Sequence, residues 1–139
     1  MKKNLNKIKI IFLKQIKQKK GNIIKIIKKG DFFFNSFGEL YISEIKPYEI
    51  KAWRYHKKST QNLFLLAGKC KLVCQLKNKF IEIKLSENSR KLVIIPKKFW
   101  YGFENIGKKK VKLLNFCNQK FLENEILRRK IKEIKYNWK

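Results

Sequence analysis

Between positions 41 and 116 the chain repeats one pattern, a short apolar or alternating run followed by Gly, Pro, Asn or a Lys-rich turn. The runs fall at 41–45, 63–66, 71–76, 80–85, 92–95 and 111–116. None is long enough for an amphipathic helix, whereas roughly 4–8 residues is ordinary for a strand. Ile81, Ile83 and Leu85 alternate with Glu82 and Lys84, so that strand has one wet face. Evenly spaced short strands point to a sandwich or small barrel. The stretch 23–27 ahead of Gly30 is expected to add an amino-terminal strand, residues 1–20 a basic extension or strand, and 123–130 a short helix or turn. No repeat, linker or second domain is visible, so residues 1–139 read as one domain.

Composition narrows the function classes. A chain of 139 residues can bury a core, and 44% apolar content with eleven Phe excludes disorder. The formal net charge is +26, and basic surfaces bind phosphate through counterion release. Yet among 36 basic residues only Arg54, Arg90, Arg128 and Arg129 carry the guanidinium fork that phosphate and base recognition favour. The lysines run the length of the chain beside abundant Ile, Asn and Phe, as an AT-rich coding sequence would produce. The charge is read as a solvated surface, with a polyanion-binding barrel as the alternative and nucleic acid not the expected partner. Either way the field attracts anionic ligands. No apolar run is long enough to span a membrane. The basic start has only a short apolar stretch at 10–13 and no small-residue cleavage site. With Cys70, Cys74 and Cys117 in no CxxC pair, a cytoplasmic protein with reduced, buried thiols is expected.

The chemistry concentrates in Arg54-Tyr55-His56-Lys57-Lys58-Ser59-Thr60-Gln61, closed by Gly68, and in Pro96, Lys98, Tyr101 and Asn105. By these residues and spacings the chain resembles the cupins. Arg54 and His56 take the places of the cupin His-x-His pair, Gln61 that of the Glu, and Tyr101 that of the last His. A transition-metal site of this kind needs about four imidazole or carboxylate ligands. Arg is a permanent cation, Gln a weak ligand and Tyr an uncommon one, and His56 is the single histidine of the chain. No metal and no other cofactor is expected. The resemblance implies an all-β fold, a cupin or jelly-roll β-barrel, with a short carboxy-terminal helical segment.

Further runs narrow it: Phe37-Gly38-Glu39-Leu40-Tyr41, Ile50-Lys51-Ala52-Trp53, Phe99-Trp100-Tyr101-Gly102-Phe103 and Tyr136-Asn137-Trp138. Over residues 20–139 the chain resembles the dTDP-4-dehydrorhamnose 3,5-epimerase-like family. That implies a metal-independent epimerase or isomerase of a dTDP-4-keto-6-deoxyhexose in deoxysugar and surface polysaccharide biosynthesis. It also implies a homodimer, here expected to pair through 23–27. In such a sugar the C4 carbonyl acidifies the protons beside it; a base removes one, an enolate forms, and an acid returns it. The family's catalytic His falls on Arg54 and its later Tyr near Asn115, and its acidic partner belongs to a longer carboxy-terminal region. The related sugar 3,4-ketoisomerases, whose strand reads His-Ala-His-Lys-x-x-x-Gln, match 54–61 with the first His replaced and give a second reading. A non-catalytic nucleotide-sugar-binding cupin is the third.

The expected roles follow. His56 is the base, Tyr101 a proton donor and Glu39 a carboxylate that orients the imidazole, while Arg54, Lys51, Lys57, Gln61 and Asn115 bind substrate. Tyr41 is read as structural and Trp138 as a cap on the barrel. Alternation along the strand should point Arg54 and His56 the same way.

Overall fold

The computed structural model describes residues 7–34 and 36–138. The strands are β1 (Lys9–Phe12), β2 (Gln15–Ile16), β3 (Ile23–Ile24), β4 (Glu39–Ile45), β5 (Ile50–His56) and β6 (Gln61–Ala67). They continue with β7 (Lys69–Leu76), β8 (Lys79–Ser86), β9 (Lys91–Ile95), β10 (Trp100–Asn105), β11 (Val111–Cys117) and β12 (Ile126–Arg128). One sheet has the order β1-β9-β6-β11-β4 and the other β12-β5-β10-β7-β8, with β2 and β3 forming a separate hairpin. From β4 onward the chain crosses between the two large sheets at nearly every turn, which is the jelly-roll arrangement of a cupin.

Every strand of the 41–116 series is present. The two that the apolar runs did not announce, β5 and β10, carry the site instead. Two further expectations change. The stretch 23–27 is strand only at Ile23–Ile24, pairing with Gln15–Ile16; the edge of the first sheet is closed by Lys9–Phe12 on β9. Lys25, Lys28 and Lys29 interrupt the run and leave too few apolar residues for a core strand. In 123–130 the helix is a single 3₁₀ turn, Glu123–Glu125, followed directly by β12.

The inner faces of both sheets meet in a core of Ile45, Leu63, Leu65, Leu72, Ile83, Leu85, Val93, Ile95, Val111 and Leu113, joined by Cys70, Cys74 and Tyr101. Ile83 and Leu85 point in while Glu82 and Lys84 are exposed, as alternation requires. Gly68 makes the one-residue crossing from β6 to β7 with φ +91°, where a Cβ would sit 3.0 Å from Val111 and 3.1 Å from the Lys110 carbonyl. Only glycine meets both demands. A second apolar cluster, Trp53, Val73, Ile134 and Trp138, lies apart from the core with Ile50, Phe80, Trp100 and Tyr136 packed against it. Trp138 thus does not cap the barrel: the carboxy-terminal segment runs back over the β5-β10-β7 sheet, and the Trp138 ring lies tilted against Trp53 with centroids 5.1 Å apart. Its indole N–H is buried without an acceptor.

Candidate functional site

The β5–β10 ladder builds the site. Tyr101 pairs with Arg54 and Gly102 with Ala52, so Trp53 is the extra residue of a β-bulge. A bulge shifts alternation by one. Lys51, opposite Phe103, therefore shares the inward face with Arg54, opposite Tyr101. Trp53 turns to the other side, tied by backbone hydrogen bonds in both directions to Arg129. Close approach at the bulge needs Gly102, whose Cβ would lie 2.5 Å from that of Ala52.

At the end of β5, His56 is 6% exposed. Its Nδ1 lies 3.0 Å from Glu125 Oε2 and its Nε2 lies 2.9 Å from the Tyr101 hydroxyl. The other carboxylate oxygen of Glu125 accepts the backbone N–H groups of Ser59 at 2.8 Å and Lys58 at 3.0 Å. Burial pushes the Glu125 carboxyl up, but those two N–H groups and His56 outweigh it and hold its pKa below the ordinary value. Burial lowers the His56 pKa, against the opposing pull of Glu125. The imidazole is therefore neutral near pH 7. An ionised Glu125 can only accept, so Nδ1 carries the proton, Nε2 is bare, and Tyr101 donates its O–H to Nε2. Tyr101 is 4% exposed, and burial raises its pKa well above the usual phenol value.

Two cavities meet at this chain of hydrogen bonds. The larger, of about 590 Å³, is lined by Tyr41, Lys51, Arg54, Tyr101, Asn115, Arg128, Arg129 and Lys130 among others, with Glu133. The smaller, of about 290 Å³, is lined by Glu39, Tyr41, Arg54, His56, Ser59, Gln61, Cys117 and Glu125 among others. Arg54 and Tyr41 line both. Arg54 and His56 thus face the same way, as the alternation predicts, and Tyr101 points inward. Three of the four arginines in the chain surround the larger cavity. Arg129 is held with its guanidinium 4.7 Å from the Trp100 ring. Lys51 donates from Nζ to Ser43 Oγ and to the Glu44 carbonyl, both at 3.1 Å. Burial first, then Arg54, lowers its pKa.

The remaining expected residues divide. Asn115 Nδ2 donates to the Tyr41 hydroxyl at 2.8 Å and to Gln61 Oε1 at 2.7 Å. Gln61 Nε2 in turn donates to Ser59 Oγ. The Tyr41 hydroxyl also meets the Cys117 thiol, and Tyr41 lines both cavities. Glu39 lines the smaller cavity, yet the carboxylate on His56 is that of Glu125. Glu39 sits at the start of the edge strand β4 and accepts from the Phe121 backbone. Lys57 lines neither cavity: it follows His56 onto the exposed side and gives its backbone N–H to the Glu125 carbonyl. The carboxylate that meets the imidazole thus comes from Glu125 in the carboxy-terminal part of this chain. Its signal in the sequence was faint, one Glu in a stretch bearing Glu123 and Glu133 as well.

Among the described residues no three His, Cys, Asp or Glu side chains converge as metal ligands. Both nitrogens of His56 are engaged by protein groups. The three cysteines are buried and unpaired, and burial pushes each thiol up to about 12.

The sandwich and its inward-facing strand end define a cupin-type domain with an acid–base cluster beside a cationic cavity. The chain belongs to the family described as WxcM-like, C-terminal (FdtA), whose model matches residues 6–137. A comparison with curated proteins gave no match. Among solved structures it is similar to a dTDP sugar isomerase from Desulfovibrio desulfuricans G20, at 24% identity and TM-score 0.86, over 94% of this chain and 90% of that one. It is similar too to QdtA, a sugar 3,4-ketoisomerase from Thermoanaerobacterium thermosaccharolyticum in complex with TDP, at 22% identity and TM-score 0.77, over 88% of each chain. A dTDP-4-dehydrorhamnose 3,5-epimerase from Elizabethkingia anophelis NUHP1 aligns at 17% identity and TM-score 0.81, over 100% of this chain and 85% of that one. These likenesses establish the shared fold.

Proposed function

We propose that this protein is a metal-independent isomerase or epimerase of a dTDP-4-keto-6-deoxyhexose, serving deoxysugar and surface polysaccharide biosynthesis. The observation that carries the reading is the chain Glu125–His56–Tyr101, which ends in a cavity holding three of the four arginines. Guanidinium forks match the paired oxygens of a diphosphate better than lysines do. Their gathering at one cavity, in a chain so poor in Arg, argues for an anionic ligand there.

In the proposed step the carbon beside the ketone gives its proton to the Tyr101 oxygen as Tyr101 passes its own to His56 Nε2. The C–H electron pair moves into the enolate, whose oxygen faces the Arg54 charge. The imidazolium formed is stabilised by Glu125, and the proton returns by the reverse transfers. Tyr41, which lines both cavities, is the donor at a second position, and it recovers a proton from solvent as the imidazolium releases its own. Return to the same carbon from the opposite face gives an epimer; return at the former carbonyl carbon, with the neighbouring hydroxyl passing its proton to the enolate oxygen and becoming the new carbonyl, gives a ketoisomer. The match of 54–61 to the ketoisomerase strand favours the second product. A homodimer and a cytoplasmic location, the latter consistent with three free thiols, belong to the same proposal.

The test is proton exchange followed by NMR, with dTDP-4-keto-6-deoxyglucose in deuterated water. Wild-type protein should exchange the C3 or C5 proton, and His56→Ala should lose roughly 10²–10⁴-fold in rate. Saturable binding of the sugar nucleotide without exchange would replace this reading with a non-catalytic cupin. Absence of binding would reject both.

A further inference from the structure

Beyond β12 the carboxy-terminal segment enters no further strand, and its first turn is tied down by a single residue of β5. Trp53 donates its backbone N–H to the Arg129 carbonyl at 2.9 Å and accepts the Arg129 N–H at 3.1 Å, one step past the Arg54–Arg128 pair of the ladder. Its indole N–H then donates to the Ile131 carbonyl at 3.2 Å. There the chain leaves β5 in the 3₁₀ turn Ile131–Glu133. Arg128, Arg129, Lys130 and Glu133 of this stretch line the larger cavity beside Lys51 and Arg54 of β5. The bulge residue thus also sets where these cations stand.

Trp53 is itself backed by residues remote from the cavity. Its ring centroid lies 5.1 Å from that of Trp138, 6.1 Å from Tyr136 and 6.2 Å from Phe80. The Tyr136 hydroxyl meets Glu82 on β8. Lys71 on β7 donates to the Trp138 carbonyl at 2.9 Å while pairing with Glu104 at 3.2 Å, and its ammonium lies 5.4 Å from the Tyr136 ring and 5.6 Å from that of Trp138, a cation–π attraction for the end of the chain. Trp53 reaches the wall of the larger cavity, but Trp138, Tyr136, Phe80 and Lys71 line neither cavity. The other end of the segment has its own anchor, since Glu125 accepts the N–H groups of Lys57, Lys58 and Ser59 and meets His56. Cations and acid–base pair are held by separate contacts.

We propose that Trp138, acting through Trp53, is a positioning residue for the cations that meet the diphosphate; the inference rests on the sugar-nucleotide reading. A binding group contributes most when it is already ordered before the ligand arrives. Among the described residues after Arg129 only Ile134 and Trp138 are buried, so little besides the Trp53–Trp138 contact keeps this stretch against the barrel. Without it Arg129 and Lys130 would have to be ordered at the expense of binding. Arg128 pairs with Glu123 on the same segment, and both are exposed, so that contact is weak enough to yield to phosphate.

Calorimetry with dTDP tests this, together with deuterium exchange measured against the concentration of dTDP-4-keto-6-deoxyglucose. Trp138→Ala should weaken dTDP binding roughly 10-fold, about the loss of one charge-assisted hydrogen bond. KM should rise in step while kcat stays within about threefold, because the Glu125 anchor is untouched. Trp138→Phe should restore most of the affinity. Lys71→Met, which frees the Trp138 carbonyl, should shift affinity in the same direction and serves if Trp138→Ala does not fold. Ile83→Ala, in the core and lining neither cavity, loses stability on a similar scale and should bind dTDP as the wild type does. Unchanged affinity in Trp138→Ala and Lys71→Met, an equal loss in Ile83→Ala, or a loss confined to kcat would overturn the positioning role and leave the sugar-nucleotide reading standing. Failure of the wild type to bind dTDP would reject that reading and this inference with it.

Discussion

The Tyr101 hydroxyl lies 2.9 Å from His56 Nε2, with the two rings stacked 13° from parallel, so the histidine reaches the larger cavity through the tyrosine and not directly. Groups in series act as a unit, and their removal is not additive. His56→Ala and Tyr101→Phe should each slow deuterium exchange by roughly 10²–10⁴-fold. The double variant should be no slower than the worse single by more than about threefold. Multiplying losses in the exchange assay would mean that the two residues act on different steps.

The same pair sets a pH dependence. His56 has its pKa lowered by burial, and Glu125 is held low by the N–H groups that overcome its burial. Both groups therefore bind protons more readily when the chain is unfolded, and stability rises with pH across both windows. The His56 share is complete above the ordinary histidine value of 6.5 and is lost as pH falls through its folded value. The Glu125 share is complete above 4.5 and disappears lower still. Urea midpoints should be level from about pH 7 to 8 and fall below about pH 6, with His56→Asn flattening the first part of the fall. A midpoint that climbs on acidification would contradict the assigned tautomer.

Much of this was legible beforehand because strand alternation and motif spacing are local properties. The run 54–61 placed Arg54 and His56 on one face, and the spacing from Pro96 placed Tyr101 inward. What could not be read was long-range. Glu125 reaches His56 across 69 residues, whereas Glu39 had the advantage of lying on a recognisable strand. The bulge at Trp53, which brings Lys51 round to the cavity, depends on pairing with β10. The reach of Trp138 over the outer face of the second sheet depends on Trp53 and Tyr136 waiting there. A carboxy-terminal aromatic has no periodicity that announces which face it will cover.

That outer cluster makes its own prediction. Trp138 is 6% exposed and packs against Trp53 and Tyr136, with ring centroids 5.1 Å and 4.9 Å away. Trp138→Ala should cost about 3–5 kcal/mol, measured by urea unfolding. Trp138→Phe should cost much less, because it keeps most of the ring contact while removing an indole N–H buried without a partner, a defect worth about 1–3 kcal/mol. Equal losses in the two variants would show that the N–H has an acceptor in solution.

Arg54 poses the sharpest question, since it pairs with Tyr101 across the ladder, lines both cavities and occupies the place where the resembling epimerases carry their catalytic histidine. A guanidinium cannot take a proton near neutral pH, so in the proposed reaction Arg54 acts as a charge, holding phosphate or facing an enolate. Arg54→His exchanges that charge for a second neutral base within reach of Tyr101. Deuterium exchange at C3 or C5 should rise, while affinity for dTDP should fall by roughly 10–100-fold, the worth of a charge-assisted hydrogen bond. Arg54→Lys keeps the charge without the fork, so it should bind with intermediate affinity and gain no exchange. If Arg54→His binds dTDP as tightly as the wild type in calorimetry, the cation is not a ligand for the diphosphate and Arg128 and Arg129 must hold it alone.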